Sequence, residues 1–149
     1  MPHSPYSNSP SGFHYVRLTP PKVDEGARLV AAALFTSARP SEMMVEVTDW
    51  SGPSESETLP TCLKQAEPGP HISAYQPVGL VFEENEAPSA AECCAFVVSC
   101  GMSAYAYFPA DHLVVYLWEG DFVELWCPSA STISVLSRNL VGAGCRLVR

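Results

Sequence analysis

Residues Leu113 to Cys127 read LVVYLWEGDFVELWC, two runs of β-branched, aliphatic and aromatic residues divided by Glu119-Gly120-Asp121. A short break containing Gly between such runs is a strong hairpin signal, and it predicts strands over Leu113–Trp118 and Phe122–Cys127. With a tight turn at Glu119-Gly120, Trp118 opposes Asp121 and His112 opposes Cys127. One face then carries His112, Val114, Tyr116, Trp118, Asp121, Val123 and Leu125; the other carries Leu113, Val115, Leu117, Phe122, Glu124 and Trp126. One face must line a core, and the opposite one stays apolar and aromatic with acids at its tip.

Outward from the hairpin, Ser103–Phe108 reads as a further strand, and the nearly continuous apolar run Val78–Glu83 suits a central one. Between them Ser89-Ala90-Ala91-Glu92 has capping-box spacing and predicts a helix to Cys100, ended by Gly101. The cysteines, Phe96, Val97 and Val98 leave that helix almost no polar face. Nearer the start, Phe13–Leu18 reads as a strand, Thr19-Pro20-Pro21 as a helix opening, and Met43–Trp50 as a half-buried strand. The intervening helix stops at Arg39, because a residue before proline avoids the α region. After the hairpin, Ser129 or Ser131 can cap a last helix bearing Ile133, Leu136 and Leu140, ended by Gly142 or Gly144, and Cys145–Val148 closes as a strand.

The expected fold is therefore α+β: a single domain with a mixed β-sheet and about three helices packed on it, in the order β-α-β-loop-β-α-β-β-β-α-β. Residues 1–12, rich in Ser and Pro, are expected to be a flexible N-terminal arm, with the domain over 13–149 and a long loop at 51–77. A chain of 149 residues can bury a sizeable core without metal or disulfide staples.

Charge is unevenly placed. Between Arg39 and Arg138 lie fourteen carboxylates and a single basic residue, Lys64, a local charge of −13, while the two ends together carry +5. A field of this sign attracts a basic partner and repels nucleic acid or an anionic membrane. With 47% hydrophobic residues the chain is too apolar to be a disordered acidic tail. No apolar run is long enough for a membrane span, and the first twenty residues have no secretory pattern, so a cytoplasmic location is expected. In that compartment the six cysteines read as buried thiols, and no C-x-x-C spacing occurs.

Neither a Gly-rich phosphate loop nor a paired-histidine metal motif is present, so no cofactor and no metal are expected. The one candidate for catalysis is Cys127 beside His112 with Asp111 adjacent, which would make a small cysteine-dependent enzyme. Binding chemistry has more support, because Tyr and Trp dominate interface hot spots and surrounding carboxylates steer a basic protein. The residues expected to meet a partner are Glu83, Glu84, Glu86, Tyr116, Trp118, Glu119, Asp121, Glu124 and Trp126. A small, acidic chain without catalytic motifs has the character of immunity proteins that neutralise cationic toxins and of phage-encoded anti-defence inhibitors. A structural subunit or homodimer burying the apolar hairpin face is the remaining reading.

Overall fold

The computed structural model describes residues 12–22, 25–37, 42–49 and 78–149. The predicted arm, apart from Gly12, and the loop at 51–77 lie outside the described residues. Seven strands and three helices follow one another as β1 (His14–Thr19), α1 (Gly26–Ser37), β2 (Glu42–Asp49), β3 (Val78–Glu83), α2 (Ala87–Ser99), β4 (Ser103–Phe108), β5 (Leu113–Trp118), β6 (Phe122–Cys127), α3 (Ala130–Gly142) and β7 (Arg146–Leu147). This is the expected α+β fold.

The strands form one sheet in the order β3-β2-β4-β5-β6-β1-β7, and every neighbouring pair is antiparallel. The sheet is thus not mixed. A helical crossover leaves the strands at its two ends parallel, but here each crossover spans strands inserted between its ends. β2 lies between β3 and β4, β1 lies between β6 and β7, and three strands separate β1 from β2. The parallel pairs exist, yet none are neighbours.

Alternation along the strands assigns the two faces. Leu18, Met43, Val45, Val47, Phe82, Ala104, Ala106, Phe108, Leu113, Val115, Leu117, Val123, Leu125 and Cys127 join the buried helix residues Val30, Leu34, Cys93, Cys94, Val97, Leu136 and Leu140 in one core. Phe35 of α1 meets Phe108 edge-on, with ring centroids 5.7 Å apart. Tyr105 and Trp126 are buried but stand outside this core, on the opposite face, which carries no described helix.

The C-terminal ends of α2 and α3 are built alike. At α2 the Met102 N–H donates to the Val97 carbonyl (2.9 Å) and the Gly101 N–H to the Val98 carbonyl (3.3 Å), the paired bonds of a Schellman motif. The predicted stop at Gly101 is therefore present, with Gly101 at φ 66°. At α3 the Cys145 N–H donates to the Leu140 carbonyl (2.9 Å) and the Gly144 N–H to the Val141 carbonyl (3.0 Å). Ser129 caps α3, its hydroxyl accepting from the Thr132 N–H at 3.2 Å. The start of α2 differs from expectation. The helix begins at Ala87 with proline in its first turn, and the reciprocal Glu-to-backbone bond forms earlier, from the Glu83 N–H to the Glu86 carboxylate at 2.8 Å. Ser89 and Glu92 have the right spacing but lie inside the helix, because Pro88 already serves as a first-turn residue that lacks an N–H.

Candidate functional site

The hairpin turn controls which side chains share the helix-free face. Glu119 (φ 49°) and Gly120 (φ 73°) both take the left-handed conformation that a tight primed turn requires, and the Asp121 N–H closes it on the Trp118 carbonyl at 2.8 Å. Asp121 is then left outside the ladder, so Trp118 pairs with Phe122, Tyr116 with Glu124 and Val114 with Trp126. The register is one residue away from the predicted one, in which Trp118 opposed Asp121 and His112 opposed Cys127. A one-residue slip exchanges the faces of a strand. It places Val123, Leu125 and Cys127 beneath the helices and brings Phe122, Glu124 and Trp126 beside Tyr116 and Trp118.

The result is an aromatic surface across four strands, β4, β5, β6 and β1. Tyr105 stacks on Tyr116 with centroids 4.4 Å apart and lies 5.9 Å from Tyr107. Trp118 meets Phe122 at 5.6 Å, and Tyr15 meets Trp126 at 5.1 Å. Offset and tilted geometries at these separations are the favourable ones for aromatic quadrupoles. Met44 and Val81 continue the face toward β3 and are 40% and 58% exposed.

An ion pair crosses this aromatic ground. Arg17 and Glu124 face each other on β1 and β6, with Arg17 Nη2 donating to Glu124 Oε1 at 2.7 Å. The Arg17 Nε donates to the Tyr15 hydroxyl at 3.1 Å, and the guanidinium lies 4.7 Å over Phe122 and 5.8 Å over Trp118. Glu124 is fully buried, and its Oε2 has no hydrogen-bond partner among the described residues. Burial raises the Tyr15 hydroxyl above its ordinary pKa, and the nearby Glu124 carboxylate adds to the rise.

The remaining predicted residues fall at the margins. Glu83, Glu84 and Glu86 are exposed at the end of β3, where Glu83 pairs with Glu42 of β2, and Glu42, Glu83, Glu84 and Asn85 line an open depression of about 670 Å³. Glu119 and Asp121 are exposed at the hairpin tip. Following the register across β2, β4 and β5, the Glu42–Glu83 pair lies at the same end of the sheet as Phe108–Leu113, and the hairpin tip lies at the other. The two acidic ends are separated by at least a strand length, roughly 20 Å. Tyr116 and Trp118 between them are half-buried, whereas Glu124 and Trp126 are buried. Those last two shape the face from beneath.

The cysteine–histidine arrangement does not form. Cys127 faces the helices, pairs with His14 of β1, and donates its thiol to the Asp111 carbonyl at 3.4 Å. His112 is exposed, in a left-handed conformation at the end of a 3-10 turn. Burial pushes the Cys145 thiol up to about 11. Among the described residues no group of three or more His, Cys, Asp or Glu is placed to hold a metal, and no helix is long and apolar enough to cross a membrane.

Sequence reading missed Arg17, Tyr15, Tyr105, Tyr107 and Met44 on this face. Their signal was alternation: in His14-Tyr15-Val16-Arg17-Leu18 and Ser103-Ala104-Tyr105-Ala106-Tyr107-Phe108 the large polar-edged residues recur every second position. Comparison with protein-family models, curated protein sequences and solved structures finds no match to this chain.

Proposed function

We propose that this chain is a non-enzymatic protein-binding inhibitor that takes up a basic protein partner across its helix-free face and acidic ends. One observation carries the reading: among the described residues Arg17–Glu124 is the only ion pair, so the exposed carboxylates at Glu42, Glu83, Glu84 and Glu86 and at Glu119 and Asp121 form no ion pair with a described basic residue. Glu42 and Glu83 even face each other across two strands, where like charges cost stability. Carboxylates kept together at local cost, beside half-buried Tyr116 and Trp118, suit attraction of a cationic surface followed by aromatic contact. An inhibitor of the immunity or anti-defence kind fits this character, since its task is to occlude a basic protein without chemistry of its own.

The reading is tested by affinity capture from the protein's own cells, using the wild-type chain and the triple variant Glu83→Lys, Glu84→Lys, Glu86→Lys. The expected result is a discrete basic protein retained by the wild type, released by salt, and lost from the variant. Equal retention by both, or capture of an acidic protein, contradicts it.

A further inference from the structure

The two edges of the sheet are finished differently. β7 contributes only Arg146 and Leu147, too short to template another strand. Among the described residues β3 is the terminal strand at the other side; it is six residues long and pairs with β2 in continuous register without a bulge. Its sequence, VGLVFE, contains neither the lysine nor the proline with which proteins commonly blunt an edge. Gly79 stands in open space, and Val81 is the most exposed large apolar residue described.

The orientation of the β3 backbone follows from one bond. The Glu83 N–H donates to Glu86, so it is turned away from β2. In an antiparallel ladder, residues two apart present their N–H and C=O in the same direction, which turns those of Val81 and Gly79 outward as well. Leu80 and Phe82 are left to bond β2, and Glu83, Glu84 and Glu86 stand where the outward ladder ends.

We infer that β3 is an augmentation edge, receiving an extended segment of the basic partner as an eighth strand whose Lys or Arg side chains meet Glu83, Glu84 and Glu86. The inference rests on the basic-partner reading and adds the mode of contact: main-chain bonds to Gly79 and Val81 provide adhesion, and the acids select for cationic segments. A second copy of this chain is a poorer occupant, because each copy carries a net charge of −8.

The probe is the peptide acetyl-(Lys-Val)4-amide, with amide hydrogen exchange at Gly79 and Val81 read by two-dimensional NMR on the full chain. The peptide is expected to slow exchange at both amides at least tenfold. The same peptide N-methylated at alternate residues, and the peptide acetyl-(Glu-Val)4-amide, are expected to leave exchange unchanged. Val81→Pro removes an outward N–H without removing a bond to β2, and is expected to weaken peptide binding at least tenfold. Should that variant not fold, the N-methylated peptide alone decides. Unchanged exchange at saturating (Lys-Val)4, equal protection by the N-methylated or acidic peptide, or protection that grows with protein concentration alone overturns the inference. If Val81→Pro retains the captured cellular partner while the Glu83/Glu84/Glu86→Lys variant loses it, the edge inference fails and the basic-partner reading stands. If both retain it, both fail.

Discussion

Arg17 Nη2 donates to Glu124 Oε1 at 2.7 Å across two adjacent strands, and the carboxylate it neutralises is fully buried while the arginine side chain keeps 31% exposure. The asymmetry matters, because Arg17 retains part of its hydration and Glu124 depends on the pair. Removing Arg17 leaves a buried charge without its counter-ion, a change that typically costs several kcal/mol. Arg17→Ala is expected to destabilise by about 2–4 kcal/mol, toward the lower part of the usual range because the arginine is partly solvated. The double variant Arg17→Met, Glu124→Leu is expected to recover most of the loss, since matched apolar residues often replace such pairs at little net cost. Urea unfolding of the single and the double variant measures both.

Alkaline pH should destabilise the fold in two steps. Burial raises the Cys145 thiol from its ordinary 9.0 to about 11, so the native state holds that proton after the unfolded chain has released it. Its contribution is complete below pH 9 and is lost as pH rises to about 11. Tyr15 is raised in the same sense from an ordinary 10.0, first by burial and then by Glu124, and its contribution is lost above that value. Cys145→Ala should flatten the earlier part of the decline in stability and Tyr15→Phe the later part, as read from denaturant midpoints across pH 8–12.

Gly120 is the residue on which the hairpin tip depends. At φ 73° a side chain is disfavoured, and a Cβ there would come within 2.9 Å of the Val98 carbonyl at the end of α2. Gly120→Ala is expected to cost about 1–2 kcal/mol from the backbone conformation alone, with displacement of the tip from α2 adding to it. Thermal unfolding gives the magnitude, and NMR shifts at Trp118 and Phe122 report whether the register survives.

Native alkylation should separate the described cysteines. Cys100 is half-buried at the end of α2, while Cys93, Cys94, Cys127 and Cys145 are buried. Iodoacetamide at neutral pH is expected to modify Cys100 ahead of the other four, which react only after unfolding. Mass spectrometry of the digested protein gives the order, and early modification of Cys127 would contradict the placement of its thiol beneath the helices.

Much of the architecture was readable where hydrophobic periodicity is long and unambiguous. β3, β4, β5 and β6 have the bounds their sequence predicts, and the glycine stop after α2 is present. The one-residue error at Glu119-Gly120-Asp121 had a specific source. The primed turn forms at Glu119-Gly120 as expected, but whether Asp121 enters the ladder is decided by burial: pairing Trp118 with Phe122 lets Val123, Leu125 and Cys127 face the core together and leaves Glu124 to Arg17. No local signal encodes the pairing of Arg17 with Glu124, because the two lie 107 residues apart. The sheet order was equally hidden, because each β-α-β stretch predicts parallel strands but does not reveal that other strands insert between them. Two capping boxes compete within ten residues, and Pro88 decides between them by starting the helix early.

The central claim, that the acidic ends draw in a basic protein, is tested most directly by the association rate of the captured partner measured by stopped flow at rising salt. The account predicts a rate that falls at least tenfold between about 20 and 200 mM salt for the wild type, and a variant bearing Glu83→Lys, Glu84→Lys and Glu86→Lys that associates at least tenfold more slowly at low salt with little further salt dependence. Equal rates for the two chains, unaffected by salt, would contradict it.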